Sequence, residues 1–212
     1  MAAVNDPVGL GAVHSLEKPG TNATGTTIFA PQLISERLSI LKRLVPKLDK
    51  VAMVLNGGNP SSQQQFALLK REAEALGLQA QSVDIRKPED VPLRIAEARA
   101  FGAKALLNGV DSFVNSQRFA IAKLALEHKL PCFYTDKEYV VAGGLISLGP
   151  GHQEGYYGAA KYVHAILKGA KPADLPIASP TQFTLSVSKS ALEKFAIVLP
   201  DDIKGRVAEW LP

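Results

Sequence analysis

Val51-Ala52-Met53-Val54-Leu55, followed at once by Asn56-Gly57-Gly58-Asn59-Pro60, is the stretch on which the reading of the fold turns. Five consecutive apolar residues bounded by a turn cluster read as a strand covered on both faces, the pattern of a parallel sheet. Ser61 or Ser62 then starts a helix that runs to Leu76. Phe66, Leu68, Leu69, Ala73 and Leu76 fall at helical spacing, and Gly77 supplies the stop.

Outward from this unit the alternation repeats. Residues 78–85 predict a second strand, Pro88-Glu89-Asp90 opens a helix through Phe101, and Gly102 closes it. Residues 104–107 predict a strand, 115–128 a helix, 132–134 a strand, 137–141 a helical turn and 145–147 another strand. Short connections between alternating strands and helices imply a parallel sheet with helices on both faces, hence an α/β fold. After it, 153–167 predicts a long helix with Tyr156, Ala160, Val163 and Leu167 along one stripe. Residues 182–187 alternate Phe183, Leu185 and Val187 with polar residues, the pattern of a strand with one exposed face. The first fifty residues do not fit the series. Residues 34–44 form an amphipathic helix, with Ile34, Leu38, Leu41 and Val45 on one stripe, yet no complete sheet precedes it. The chain reads as starting mid-domain.

Composition narrows the function classes. The chain has 212 residues, 46% hydrophobic and 21% charged, enough for one large α/β domain or two modest lobes. No apolar run approaches the ~20 residues of a membrane span. The opening Met1-Ala2-Ala3-Val4-Asn5-Asp6-Pro7 lacks the basic and apolar regions of an export signal. Net charge is +4, but Arg37, Lys42, Arg43, Lys47, Lys50, Lys70 and Arg71 are interspersed with acids, which describes solvated helix faces and no nucleic-acid partner. Cys132 is the single cysteine and reads as a small buried hydrophobe.

The residues that carry a family resemblance now stand together. They are Asp6-Pro7-Val8-Gly9-Leu10-Gly11, Pro19-Gly20-Thr21-Asn22-Ala23-Thr24-Gly25, Leu41-Lys42-Arg43-Leu44-Val45-Pro46 and Val54 to Pro60. The most specific are Ala142-Gly143-Gly144-Leu145-Ile146-Ser147-Leu148-Gly149-Pro150, Ile166-Leu167-Lys168-Gly169-Ala170-Lys171-Pro172-Ala173-Asp174-Leu175-Pro176 and Pro180-Thr181-Gln182-Phe183. In this order they resemble the ABC-transporter substrate-binding family that includes bacterial tryptophan- and tyrosine-binding lipoproteins. The resemblance implies a type 1 periplasmic binding protein: two Rossmann-like lobes joined by three crossovers, ligand held in the cleft, and hinge closure on binding. It implies a complete C-terminal lobe at 49–143. Residues 1–48 and 144–212 then supply a partial N-terminal lobe, the crossovers and the tail, the first part of that lobe and the export signal being absent. It further implies a place outside the cytoplasmic membrane, periplasmic or lipid-anchored, and an ABC permease as partner.

Open α/β sheets bind ligands at the carboxyl ends of their strands. The loops there carry Asn56, Asn59 and Ser61; Asp111, Ser112 and Asn115; and Thr135, Asp136 and Glu138. Acids among them suit an ammonium, while amides, hydroxyls and helix N-termini suit a carboxylate. The same Asn59, Ser61, Asn115 and Asp136 suit helix caps, and the two roles can coexist. Asn5 and Asp6 follow a truncated strand and join the candidates, with an Asx turn into Pro7 as the alternative for Asp6. Tyr134, Phe113 and Tyr139 are either ligand walls or core. Gly149-Pro150-Gly151 and Asn56-Gly57-Gly58 give no dinucleotide fingerprint or phosphate loop, and His14, His128, His152 and His164 lack metal-ligand spacing. The expectation is therefore reversible binding of a small metabolite, an aromatic amino acid or related carboxylate, with no catalysis, cofactor or metal. The alternative is a truncated paralogue serving as a sensory or assembly domain. The stripes Ile34, Leu38, Leu41, Val45 and Tyr156, Val163, Leu167, with an open edge at 183–187, predict a homodimer through the incomplete lobe.

Overall fold

The apolar run Val51 to Leu55 is the buried part of a six-residue strand. The computed structural model describes residues 1–28, 30–150 and 152–212, without the side chains of 152–154, so Gly151 and the His152 side chain lie outside the described residues. In chain order the elements are α1 (Gln32–Leu44), β1 (Lys50–Leu55), α2 (Pro60–Ala75), β2 (Gln79–Asp84), α3 (Asp90–Phe101), β3 (Ala105–Asn108), α4 (Ser112–Ser116) and α5 (Arg118–Glu127). Then come β4 (Cys132–Tyr134), α6 (Lys137–Val141), β5 (Ile146–Gly149), α7 (His152–Leu167), β6 (Thr184–Ser188), α8 (Lys189–Phe195), α9 (Asp201–Lys204) and β7 (Glu209–Leu211).

One seven-stranded sheet runs in the order β2-β1-β3-β4-β5-β6-β7. Neighbours are parallel from β2 to β5, β6 is antiparallel to β5, and β7 is parallel to β6. The expected mixed α/β fold with a largely parallel sheet is therefore present. Ala52, Val54, Val83, Ile85, Val91, Ile95, Leu106, Ile121 and Leu130 form a core in which each is at most 2% exposed. Burying one such aliphatic side chain contributes roughly 1.5–3 kcal/mol relative to leaving it in water. Gly102, at φ 90°, closes α3 in the left-handed region that a side chain would strain.

The chain divides into two units. One comprises 1–30 with 150–183, the other 31–149 with 184–212. The whole sheet belongs to the second, so these bounds differ from the expected breaks at 48/49 and 143/144. Strand β5 pairs with β4 directly, and α1 is buried on the sheet unit through Leu33, Leu38 and Leu41. The stripe of Ile34, Leu38, Leu41 and Val45, expected to need a second chain as cover, is at most 8% exposed. Arg37, expected on a solvated face, is also buried, with 5% exposure. The open edge expected at 183–187 is corrected too. Strand β6 is buried along its last four residues because β7 pairs with it, Val187 opposite Trp210. The single helix expected at 115–128 is two, α4 and α5, meeting at Gln117 with φ −92° and ψ 9°.

In the first unit, Val4 bridges Thr27 and Thr26 bridges Ala178, both parallel. Thr26 Oγ1 donates to the Gly155 carbonyl on α7 at 2.9 Å and accepts the Ala3 N–H at 2.9 Å. Beside these bridges lies a groove of about 550 Å³ lined by Ile28, Tyr157, Tyr162, Leu175 and Pro180 among others. No helix among the described residues is long and apolar enough to cross a membrane.

Candidate functional site

Parallel strands deliver their carboxyl ends to one edge of the sheet, and there the loops after β1 and β3 meet. Asn59 caps α2 by accepting the Ser61 N–H at 3.0 Å, and its amide donates to Asp111 Oδ2 at 2.8 Å. The Asn56 amide reaches the same oxygen at 3.4 Å. The other carboxylate oxygen, Asp111 Oδ1, accepts the Val114 N–H at 3.0 Å and so caps α4. Cap and cluster are thus the same side chains. The β1–α2 loop is latched in turn: Gly57 donates its N–H to Asp84 Oδ1 at 2.6 Å. A Cβ on Gly57 would stand 2.3 Å from the other Asp84 oxygen, so a larger residue there would displace the Asp84 carboxylate and break this latch.

The β3 and β4 ends are joined by Asn108. Its Oδ1 accepts the Thr135 N–H at 2.8 Å and its amide donates to Thr135 Oγ1 at 3.2 Å. Asp136 Oδ1 accepts the Glu138 N–H at 2.8 Å and caps α6. The Glu138 and Ser112 side chains are exposed, Ser61 is buried, and Asn115 Oδ1 is buried without a hydrogen-bond partner among the described residues. Asn5 and Asp6 belong to the first unit. Asp6 Oδ1 accepts the Gly9 N–H at 2.8 Å, which is the Asx turn, and the Asn5 carbonyl accepts the Thr27 hydroxyl at 2.8 Å.

The aromatic candidates resolve toward the core. Tyr134 and Tyr139 stack at 4.7 Å and are each 1% exposed. Burial, the largest cause, pushes both phenols well above their ordinary range and keeps them neutral. Burial likewise raises the Cys132 thiol, so it is an inert core residue.

Three positioning side chains carried no motif: Asn108, Gln65 and Arg37. Asn108 ends an apolar strand, where a polar residue is itself a signal. Gln65 bonds both backbone groups of Val110, at 2.8 and 3.1 Å. Arg37 donates through Nε and Nη2 to the Leu148 carbonyl at 2.8 and 2.6 Å. Desolvation lowers its pKa to about 9, opposed by the nearby charge of Glu36. It holds the end of β5 as a buried cation.

The geometry has counterparts in known proteins. Over residues 1–210 the chain matches the family described as ABC transporter substrate binding protein. It is 26% identical over 193 residues to the tyrosine-binding protein of Clostridioides difficile strain R20291, an alignment that takes in 91% of this chain and 55% of that protein. The chain thus spans about half the length of this curated relative. A conserved domain protein from Vibrio cholerae superposes with TM-score 0.91 at 28% identity, covering 99% of this chain and 70% of that one. An ABC domain from Streptococcus pneumonia, solved in complex with L-Trp, superposes with TM-score 0.91 at 23% identity, covering 100% of this chain and 72% of that one. These likenesses bear out the type 1 periplasmic-binding-protein fold. The chain belongs to the ABC transporter substrate binding protein family.

Proposed function

We propose that this chain is the solute-binding component of an ABC-type uptake system, reversibly holding an aromatic amino acid or related carboxylate. The carrying observation is the cluster of Asn56, Asn59, Asp111, Asn108 and Thr135 at the carboxyl ends of parallel strands, in a chain of a substrate-binding family. In this reading Asp111 meets the ligand ammonium, and Asn56, Asn59, Ser61, Ser112, Asn115, Thr135, Asp136 and Glu138 supply further contacts. The name of the Clostridioides relative makes tyrosine the first compound to test. The ligand leaves as it arrived, without chemistry, and passes on the outer side of the cytoplasmic membrane to a membrane permease.

A thermal-shift screen of aromatic amino acids, their decarboxylated amines and their deaminated acids tests the reading. Ligand at 100 times its dissociation constant adds ~2.7 kcal/mol of stability, a clear rise in midpoint. A panel that leaves the midpoint unmoved overturns the proposal.

Self-association through the first unit is part of the same proposal, because a specific face favours it. On α7, Tyr156, Tyr157, Val163 and Leu167 are 62%, 75%, 58% and 82% exposed. Adjoining large apolar side chains in water favour a partner surface, and a second copy is the simplest one.

A further inference from the structure

We propose that Gln65 is a positioning residue for Asp111, a side chain that holds the β3–α4 loop in the geometry that receives a ligand ammonium. The inference rests on the ligand reading above. Gln65 sits on α2 and is 4% exposed. Its Oε1 accepts the Val110 N–H at 2.8 Å and its Nε2 donates to the Val110 carbonyl at 3.1 Å. One side-chain amide therefore makes the pair of bonds that a neighbouring strand would make.

The reason lies in the register. Asn108 is the last β3 residue opposite β1, and the Gly109 N–H to the Val54 carbonyl, at 2.8 Å, is the next bond along that edge. Val110 comes directly after it, where β1 has turned away into its loop. There the half-buried Val110 N–H and C=O take side-chain partners. Gln65 bonds both, because a carboxamide offers donor and acceptor side by side. The residue after Val110 is Asp111. Helix α2 thus grips this loop at two points, through Gln65 at Val110 and through Asn59 at Asp111 Oδ2, the latter at 2.8 Å. Buried Ser61, Gln65, Leu69 and Ala73 form one stripe of α2 at fourfold spacing, so the helix phase itself turns Gln65 toward the sheet.

A glutamine that served stability alone would leave the same contacts, so the test uses a variant whose hydrogen bonding can be switched. In Gln65→Glu the ionised carboxylate still accepts from the Val110 N–H but sets a negative oxygen against the Val110 carbonyl. When protonated, the same group is close to isosteric with glutamine and donates again. Its pKa, raised by burial above the usual ~4.3, places the switch within an accessible range. Two quantities are read from about pH 5 to about pH 9, each relative to wild type at the same pH. One is hydrogen exchange of peptides covering 109–114 in the ligand-free protein; the other is calorimetric affinity for L-tyrosine and L-tryptophan.

At the alkaline end Gln65→Glu should lose about tenfold in both protection and affinity, the size of one hydrogen bond, and recover toward wild type on acidification. Gln65→Met should lose both at every pH. Wild-type protection and affinity in Gln65→Met overturn the proposal, as does loosened exchange with affinity intact. Should wild type bind neither amino acid, the ligand reading fails separately. The exchange data then still decide: an unloosened 109–114 segment in both variants refutes the hold on the loop, and a loosening reversed by acid supports it.

Discussion

Asp111 caps a helix with one oxygen and gathers amides with the other, and substitution there separates the two roles. Asp111→Asn keeps an acceptor for the Val114 N–H, since asparagine is a good cap. The group that replaces Oδ2 is then an NH₂ facing the Asn59 amide, donor against donor, where 2.8 Å now separates donor and acceptor. Affinity for an amine-bearing ligand should fall by about 1.5–3 kcal/mol, and folding stability by about 1 kcal/mol through the lost loop contact. Calorimetry and a denaturant melt read these separately; unchanged affinity removes Asp111 from the site. Asp111, Asn56 and Asn59 were legible as polar residues just past apolar strands. Gln65 was not, because Gln63-Gln64-Gln65 is a uniform run and only the phase of α2 picks one of the three.

At the scale of elements, local signals placed most starts and stops. Gly102 ends α3 and β4 runs Cys132–Tyr134 as its pattern required. The N-cap of α2 fell on Asn59 and not on Ser61 or Ser62, since Pro60 occupies the first helical turn, where its missing N–H costs nothing. The division between α4 and α5 had no such marker, as neither Gly nor Pro stands near Gln117; the Asp111 cap starts a helix earlier than the apolar spacing suggested. Ser188 offers a clean test of capping in the sheet unit. It is 1% exposed, accepts the Ala191 N–H at 3.1 Å at the start of α8, and makes the last β6 pairing, opposite Leu211. Ser188→Ala should cost ~0.5–2 kcal/mol, lowering the midpoint of a urea melt while leaving its slope unchanged. A midpoint equal to wild type would show that the cap contributes nothing there.

For the whole molecule, the question is what covers α7. The stripe on α1 is buried within the sheet unit, so of the two stripes expected to associate the exposed one is on α7, with Tyr157 and Leu167 foremost. Light scattering at micromolar concentration should give a dimer mass, and Tyr157→Lys with Leu167→Glu should return it to a monomer without lowering folding stability by more than about 1 kcal/mol, the range of two surface substitutions. A monodisperse wild-type monomer sinks the dimer. The same measurement on a ligand-bound sample separates association from binding, because linkage to a ligand shifts the mass only where the dimer binds it differently.

By itself the sequence determined the α/β class, the five strands from β1 to β5, their helices and the loops that carry the candidate site. Those features follow from apolar runs, caps and glycine stops within a few residues of one another, which local physics decides. The tertiary structure alone decided which unit owns α1, β5 and β6, that β7 closes the edge beside β6, that Arg37 is buried against the Leu148 carbonyl, and that Gln65 pairs with Val110. Each of these joins residues tens of positions apart or depends on sheet order. A short apolar strand pairs equally well, by its own composition, with several neighbours; the choice among them rests on packing and on which backbone groups would otherwise be buried unpaired.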